Sequence, residues 1–340
     1  MESATRSPSP SHAGGDFRIS QSKVLRTTAV FDTYWRFAFE RQQIFFKRVS
    51  GLLPPWTSDP ILSKYRFTNV YRASDRVSQY LIRRVIYEGD QSEEEVFFRS
   101  LLFKLFNRVE TWELLQRHVG PVSWKTFDLD RYDRLLDEAL RGGSKLYSAA
   151  YIMPCPPFNA ARKHENHLVL LARMMQDRLP QKVASARSLR DVFLLLRSYP
   201  SVGNFLAYQF AIDLNYSRLT AFSEMDFVVA GPGARSGIRK AFSDTGGLSE
   251  EDVIRAVVES ASREFKGRGL AFRPLWGRPL QLIDCQNLFC EVDKYSRVAH
   301  PEVNGGSRTR IKQRFAAVAR PTPQWYPPKW GLEPWSGSHA

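Results

Sequence analysis

Cysteines are scarce in this sequence, and long apolar runs are missing. Only three cysteines occur among the 340 residues, at positions 155, 285 and 290, and no two of them form a C-x-x-C pair. This scarcity disfavours a disulfide framework and a cysteine-based zinc site, and it favours an intracellular location. No apolar segment is long enough to cross a membrane, and the first residues do not resemble a signal peptide. We therefore expect no membrane partner.

Common signatures of phosphate and metal chemistry are missing as well. The Walker A pattern G-x-x-x-x-G-K-[ST] does not occur, so we expect no kinase P-loop in these residues. His164 and His167 are spaced like two ligands of one metal ion, but no third ligand follows at a recognised spacing. We expect no metal, no other cofactor, and a surface or capping role for these two histidines.

The residues that are present favour a large core and a polyanionic partner. The chain is 43% hydrophobic and 13% aromatic, and 49 Lys and Arg against 35 Asp and Glu give a formal charge of +14. The positive charge is spread along the chain, which favours nucleic acid as the partner. A generally basic solvated surface would give the same composition, so this alternative stays open.

The order of segments indicates one long helical region between two irregular ends. Residues 1–20 are rich in Ser, Pro, Gly and charge, which predicts a disordered tail. Residues 24–315 carry helical periodicity without clear strand alternation or repeats, so we expect a mainly α fold. The Pro-rich interval 154–160 is a candidate lobe boundary. The Pro- and Trp-rich residues 320–340 are expected to pack in extended form and then fray.

The clearest local pattern is a helix, a short glycine turn and a second helix between residues 189 and 214. Gly203 would let the backbone approach a phosphate, and the N–H groups that open the second helix, from Asn204, would point at it. This layout resembles the helix-hairpin-helix DNA glycosylases, in which an aspartate about twenty residues later works in the base pocket; here that residue is Asp226. The Lys that lyase-type members carry after the glycine is missing. An ordinary αα-hairpin with a surface Asp remains the alternative.

Two further stretches place polar groups where a ligand could bind. Arg72, Asp75, Arg76 and Gln79 recur at helix spacing, which predicts one polar face suited to phosphate or to an internal ion-pair network. Ser92 and Glu95 read as a capping box before an apolar core helix that Lys104 interrupts.

Further basic and glycine-rich segments complete the predicted contacts with polyanions. The segment 231–240 does not fit a P-loop, but it can form a glycine-rich anion site with Arg235 and Lys240. The cation run at 308–314 predicts DNA contacts by Arg310 and Lys312.

Several of these segments together resemble one specific family, the helical domain of 5-hydroxymethyl-deoxyuridine DNA kinases, related to the α-glutamyl/putrescinyl-thymine pyrophosphorylases of DNA base hypermodification. The resemblance covers about Val24 to Gln313. It rests on RFTNVYRASDRVSQ (66–79), LLFKLFN (101–107), VGNFLAYQ (202–209), DLNY (213–216), GPG (231–233), QN (286–287) and EVDK (291–294).

This resemblance implies a glycosylase-like helical fold that acts on a flipped, modified pyrimidine in duplex DNA, replacing a diphosphate on a 5-hydroxymethyluracil-type base by an amine or amino acid. A separate P-loop nucleotide kinase would then be a partner, and the location would be nuclear in a eukaryote. The implied catalytic groups are Asp226, Asp75 and Lys104. The implied substrate and phosphate ligands are Arg66, Asn69, Arg72, Arg76, Gln79, Gln209, Arg235 and Lys240, with DNA contacts from Gly203, Asn204, Arg310 and Lys312.

Two other functions fit the same residues. A monofunctional glycosylase would use Asp226 to activate water or to stabilise the sugar cation. A catalytically inactive DNA-binding module would keep the hairpin and the cations, while its buried carboxylates served only in ion pairs. The sequence leaves open whether the chain is an enzyme.

Overall fold

The computed structural model describes residues 14–304, 310–316 and 323–333, which form two compact units. Unit 1 is drawn from Met1–Val70, Ala230–Arg273 and Asp284–Arg320. Unit 2 is drawn from Tyr71–Val229, Pro274–Ile283 and Pro321–Ala340. The interval 154–160, predicted as a candidate lobe boundary, lies within unit 2.

Helices dominate the described residues, so the predicted mainly α fold is confirmed. They are α1 (Ala29–Val49), α2 (Pro60–Lys64), α3 (Arg76–Tyr80), α4 (Glu93–Phe106), α5 (Val109–Val119), α6 (Leu129–Arg141), α7 (Lys163–Gln176), α8 (Leu179–Ala184), α9 (Leu189–Arg197), α10 (Asn204–Leu214), α11 (Pro232–Ala241), α12 (Glu250–Gly267) and α13 (Leu282–Ala299). A 3-10 turn, Arg72–Ser74, precedes α3, and a π-helical segment, Leu81–Ile86, follows it.

Unit 1 also contains a small antiparallel sheet that the sequence did not predict. Its strands are β1 (Asp16–Arg18), β2 (Val24–Thr27) and β3 (Phe242–Asp244), paired in the order β1-β2-β3. Phe17 pairs with Leu25, and both side chains are buried. Strands of three or four residues are too short to show alternation in the sequence. Strand β1 lies inside the segment 1–20 predicted as disordered, whose first thirteen residues lie outside the described part.

The core of unit 2 is built around α4, as its apolar sequence predicts. Every side chain from Glu95 to Phe106 is buried, and the helix ends at Asn107, which adopts a left-handed conformation with φ 49°. The predicted capping box is wrong, because Ser92 makes no side-chain cap. Glu95 instead accepts hydrogen bonds from Ser123 Oγ at 2.7 Å and from the N–H groups of Trp124 and Lys125. Its carboxylate therefore fixes the loop at 123–125 and does not cap its own helix.

The predicted helix–turn–helix is present between α9 and α10 of unit 2. Ser188 caps α9 by accepting the Asp191 N–H at 3.0 Å. The turn passes through Ser201, whose φ is 64°, and α10 begins after Gly203. The two helices pack against each other. A helix-hairpin-helix role in DNA binding stays a prediction.

Residues 323–333 also belong to unit 2, where an irregular stretch leads into a 3-10 turn, Pro328–Trp330. The Trp325 N–H donates to Gln79 Oε1 at 2.8 Å, and the Gln79 amide donates to the Trp325 carbonyl at 3.0 Å. Lys329 donates to three backbone carbonyls, those of Asn215, Ser217 and Thr220, at 2.5–2.8 Å. These three bonds satisfy all the donors of an ammonium group.

The glycines of the 231–240 segment serve helix packing in unit 1. Helix α11 begins after Gly231, with Pro232 in its first turn, so Gly233 and Gly237 lie within the helix and one turn apart. A Cβ at Gly233 would lie 2.4 Å from Cys290 Sγ, and a Cβ at Gly237 would lie 2.1 Å from the Phe289 carbonyl oxygen. The glycines therefore let α11 approach α13 closely.

We predict that Gly237→Ala destabilises the protein by about 1–3 kcal/mol, because the new methyl would force the backbone of α13 away. Gly267→Ala is the matched control, since nothing lies within 4 Å of a Cβ at that helical glycine. Urea denaturation would measure both. Equal unfolding midpoints for the two variants would contradict this account of the close approach.

Candidate functional site

A cluster of charged side chains lies in the interior of unit 2. It consists of Arg72, Lys104, Gln209, Asp213 and Tyr216 and is called the charged cluster below. The exposed fractions of Arg72, Lys104 and Asp213 are only 4%, 4% and 1%. Buried charges are costly unless they are paired and hydrogen-bonded, so the contacts within this group decide whether it is stable.

Each residue of the charged cluster has at least one polar contact within it. Arg72 Nη1 donates to Asp213 Oδ1 at 2.8 Å and to the Tyr216 hydroxyl at 3.0 Å, and Arg72 Nε donates to Gln209 Oε1 at 3.0 Å. Lys104 Nζ lies 3.2 Å from Asp213 Oδ2 and donates to Asn107 Oδ1 at 2.8 Å. One carboxylate therefore neutralises two cations.

The local sequence explains how these groups meet. Gln209 and Asp213 are one helical turn apart on α10, so they lie on one face of that helix. Lys104 lies in the last turn of α4, which packs against α10. Arg72 comes from the 3-10 turn before α3.

The electrostatic environment keeps Arg72 charged and Tyr216 neutral. Burial alone would lower the pKa of the Arg72 guanidinium, but the interactions with Asp213, Tyr216 and Tyr151 together outweigh burial, and the pKa of Arg72 lies well above its ordinary value. Burial raises the pKa of Tyr216 well above its ordinary value, so its hydroxyl stays neutral. Such an arrangement can hold a carboxylate and an amide oxygen in fixed positions.

A loop carrying Tyr151 covers one side of the charged cluster. The Tyr151 hydroxyl donates to Gln209 Oε1 at 3.4 Å, and Lys104 Nζ lies 5.0 Å from the centre of the Tyr151 ring. Tyr151 also packs edge-on against Phe205 in the first turn of α10. The next residue, Ile152, is 90% exposed, so this loop separates the cluster from solvent.

His167 fixes both ends of that loop. Its Nε2 lies 3.0 Å from the Pro154 carbonyl oxygen, and because a carbonyl can only accept, Nε2 carries the proton and donates. The other ring nitrogen, Nδ1, therefore accepts from the Tyr147 hydroxyl at 2.7 Å. Burial lowers the pKa of His167 to about 4. His164 is also buried, with Nε2 2.9 Å from Asp133 Oδ1. Both histidines are therefore interior groups, and the expected surface role is wrong.

Another buried carboxylate of unit 2 is Glu224. Its Oε2 is 3.4 Å from Arg278 Nη2, while its Oε1 has no hydrogen-bond partner in the described residues. Burial raises the pKa of Glu224 above its ordinary value. The guanidinium carbon of Arg278 lies 3.8 Å from the centre of the Trp330 ring. This carboxyl group is thus a buried acid two residues before Asp226.

The tip of the α9–α10 hairpin is polar and exposed. Gly203 and Asn204 are exposed, and no side chain caps the first N–H groups of α10. Arg197 Nε donates to Asn204 Oδ1 at 2.7 Å, and Arg197 has no ion pair in the described part of the chain. A guanidinium and open helix N–H groups therefore lie together at this end of α10.

Other predicted residues of unit 2 differ in their exposure to solvent. Asp226 is exposed, Asp75 is half-buried and Arg76 is exposed, whereas Gln79 is buried. The prediction that residues 72–79 share one helical face is wrong, because Asp75 has extended backbone angles and divides the 3-10 turn from α3. Arg72 and Gln79 therefore point inward, and Arg76 is left at the surface.

The remaining predicted residues belong to unit 1. Arg66, Arg235, Arg310 and Lys312 are exposed. Asn69 Oδ1 accepts from Arg41 Nη2 at 2.7 Å, and Lys240 Nζ lies 2.9 Å from Asp293 Oδ1. The predicted anion site at 231–240 therefore has glycines used in packing and a Lys240 paired with a carboxylate.

Sequence reasoning did not assign roles to several site residues. These are Asp213, Tyr216, Tyr151, Glu224, Arg278 and Arg197. One signal was available for Asp213, since Gln209 and Asp213 are spaced by one turn in an otherwise apolar helix.

In the described ranges, no group of three or more His, Cys, Asp or Glu could hold a metal ion. Among the same residues no helix is long and apolar enough to span a membrane.

We predict that Asp213→Asn lowers the free energy of unfolding by about 3–5 kcal/mol, because Arg72 and Lys104 would keep buried charges without their carboxylate. Asp226→Asn, at an exposed position, should change it by less than about 1 kcal/mol. Chemical denaturation of both variants gives the comparison. A loss below about 1 kcal/mol for Asp213→Asn would show that the charged cluster contributes little to stability.

We also predict that acid weakens the protein through His167. Its folded pKa of about 4 lies below the unfolded value of 6.5, so the unfolded state binds more protons between these values. The stabilising contribution is fully present above pH 6.5 and falls by up to about 3 kcal/mol as pH drops towards 4.

His167→Gln should remove this part of the pH dependence. His118→Gln, which changes an exposed histidine, should retain it. Urea unfolding at several pH values between 7 and 4.5 measures the difference. Parallel curves for wild type and His167→Gln would contradict the assignment.

Comparison with known proteins agrees with the resemblance seen in the sequence. The family model described as "5-hmdU DNA kinase, helical domain" matches residues 28–305. A 5-hmdU DNA kinase from Bacillus phage SP10 is 30% identical over 288 residues, which cover 78% of this chain and 45% of that protein. The chain thus spans less than half the length of this curated relative. No solved structure matches significantly. On the extent of the family match, the chain belongs to the 5-hmdU DNA kinase helical-domain family.

Proposed function

We propose that this chain is a DNA-binding protein of base hypermodification, which acts on a 5-hydroxymethyluracil-type pyrimidine taken out of the base stack. The reaction we assign is replacement of a diphosphate on the 5-methylene carbon by an amine or amino acid. The observation that supports this best is helix α10, which joins an open, cationic hairpin tip to the buried charged cluster within one element.

DNA binding is proposed for the hairpin tip. The first N–H groups of α10 carry partial positive charge and lack a side-chain cap, so they can donate hydrogen bonds to a phosphate oxygen. Arg197 stands beside them, oriented by Asn204. The formal charge of +14 adds a general attraction for DNA.

The charged cluster is proposed to position groups rather than to bind diphosphate. Arg72 uses its donors on Asp213, Gln209 and Tyr216, so it orients these acceptors beneath Tyr151 and Phe205. Diphosphate binding is assigned instead to exposed cations, including Arg76. Positive charge near a leaving diphosphate stabilises the transition state, because negative charge develops there.

Asp226 remains the proposed general base. It is exposed, which suits a group that must accept a proton from an incoming amine. Lys104 and Asp75, which were implied with it, receive supporting roles, since Lys104 is buried against Asp213.

A separate kinase is proposed to supply the phosphorylated base. The relative from phage SP10 is named a 5-hmdU DNA kinase, but the chain matches only 45% of its length. No P-loop pattern occurs in the 340 residues. We therefore assign the kinase step to a P-loop nucleotide kinase outside these residues.

We predict that Arg197→Gln weakens binding to duplex DNA and reduces the slope of log affinity against log salt by about 1, because one phosphate contact is lost. Arg187→Gln is the matched control, since it removes an exposed charge at the other end of α9. Fluorescence anisotropy over a salt series measures both slopes. Equal slopes for the two variants would remove the hairpin from the DNA interface.

The chemistry is tested with a duplex that carries a single 5-hydroxymethyluracil, with and without a diphosphate. The protein and a mixture of amines and amino acids are added, and the digested nucleosides are weighed by mass spectrometry. We expect a new adduct mass with the diphosphate substrate, which disappears in Asp226→Asn while DNA affinity is kept. Loss of the base alone would identify a glycosylase. An unchanged mass with intact binding would identify a non-catalytic DNA-binding module.

A further inference from the structure

A cavity of about 210 Å³ lies in unit 1, beside the C-terminal half of α1. Its walls include the rings of Trp56, Tyr65, Phe67 and Phe315, together with Arg48. No lining residue is acidic. Pockets for drug-sized ligands measure about 300–1,000 Å³, so this cavity suits a single ring system. Aromatic walls favour a flat ligand that can stack on them.

Arg48 adds an unmatched positive charge to this pocket. Its guanidinium carbon lies 5.3 Å from the centre of the Trp56 ring, and it makes no ion pair within the described ranges. The side chain is half-buried, and burial lowers the pKa of Arg48. A guanidinium that loses water without gaining an anion is unfavourable, so this position is suited to an anionic ligand.

Exposed cations continue from the pocket along two adjacent extended segments, which we call the basic strip. The segments are joined by two backbone bonds of 3.1 Å, Arg66 N–H to the Gln313 carbonyl and Phe315 N–H to the Lys64 carbonyl. The strip consists of Lys64, Arg66, Arg310, Lys312 and Arg314, all exposed. Within residues 14–304, 310–316 and 323–333 none of the five forms an ion pair. Cations on two segments that are joined by backbone hydrogen bonds repel one another, and a bound polyanion would relieve this repulsion.

Two leucines project from a loop next to the same pocket. Leu52 and Leu53 are 55% and 74% exposed, immediately before residues that line the cavity. The loop is fixed by the Trp56 indole, which donates to the Leu52 carbonyl at 2.7 Å, and by Lys47, which donates to the Trp56 carbonyl at 2.8 Å. Proteins that unstack DNA bases often insert apolar side chains of this kind between base steps.

We propose that this pocket binds one unstacked nucleobase of a DNA strand, with a neighbouring phosphate on Arg48 and further phosphates along the basic strip. The base stacks on the aromatic walls, and Leu53 fills the gap that the base leaves in the stack. The assignment rests on the proposed function only in taking DNA as the ligand, and it involves no step of the chemistry assigned there. Under this proposal Arg310 and Lys312, which the sequence predicts as DNA contacts, bind phosphates beside the pocket that holds the base.

The test compares a short oligothymidylate with the same strand lacking its central bases. Wild-type protein should bind the complete strand at least about fivefold more tightly, since base–aromatic stacking contributes about 1–3 kcal/mol per base. Tyr65→Leu should remove this preference, because it removes a stacking wall. Arg48→Met should weaken binding of both strands to the same extent, because both keep the phosphate, whereas Lys266→Gln, at an exposed position of α12, should change neither. Equal affinity of wild type for both strands would overturn the proposal.

A duplex with 2-aminopurine at one position tests the wedge. Fluorescence of this base rises when it leaves the stack, and we expect that rise with wild type but not with Leu53→Ser. Leu194→Ser changes another exposed leucine, 53% accessible on α9 of unit 2, and should behave as wild type. A rise that survives Leu53→Ser would contradict the assignment of the wedge.

The two proposals fail in different ways. Arg197→Gln is measured on the same strands, because its effect belongs to unit 2. If it weakens binding while Tyr65→Leu leaves the base preference intact, DNA binding stands and the pocket assignment is wrong. If Tyr65→Leu does not fold, as judged by circular dichroism, Phe315→Leu at a half-buried position of the same aromatic wall decides the question.

Discussion

One carboxylate, Asp213, neutralises two buried cations in the interior of unit 2. Without it, Arg72 and Lys104 would each leave water without gaining an anion, and neither could remain inside. Its two oxygens therefore connect the 3-10 turn at Arg72, helix α4 and helix α10 in one arrangement. Apolar contacts alone tolerate small shifts of one helix against another, whereas a shared carboxylate with directional partners tolerates few.

This constraint links the interior of unit 2 to its surface through α10. The helix begins at an exposed turn and carries Phe205, Gln209 and Asp213 along successive turns of one face. Because Asp213 is fixed from two sides, the position of the hairpin tip is fixed as well. A binding surface placed on a rigid helix presents its groups more exactly than one placed on a loop. A phosphate contact at Asn204 would thus be positioned by contacts more than two turns away.

The sequence was informative where a pattern concerned a single element. It predicted the mainly α fold, the apolar helix α4, and the helix–turn–helix of α9 and α10, since periodicity and turn residues report on local backbone. It failed where the partner of a residue was distant along the chain. Asp213 meets Arg72 across 141 positions, and no local pattern indicates that pairing. Glu95 was predicted to cap its own helix because its real partners are also distant. It accepts hydrogen bonds from a loop about thirty residues later in the sequence.

The glycines of α11 show a similar limit. Glycines beside cations suggested an anion site, but close approach to α13 requires the same residue type. An anion site and a close helix contact differ in whether a ligand or a neighbouring helix lies against the glycine. Only the folded structure shows which of these is present. The exposed cations at 310–314 could be located from the sequence, whereas the aromatic pocket beside them depends on side chains from three separate segments.

The three carbonyls bound by Lys329 have a consequence for the order of folding. Unit 2 begins at Tyr71, yet the ammonium of Lys329 that satisfies the carbonyls of Asn215, Ser217 and Thr220 lies at least 109 positions further along the chain. During synthesis, α4 to α10 emerge from the ribosome while that lysine has not yet been translated. The turn after α10 must therefore keep its carbonyls bonded to water until Lys329 has left the ribosome, and unit 2 reaches its final hydrogen bonding only then. Because these hydrogen bonds join segments that are distant in sequence, this part of unit 2 closes late during synthesis.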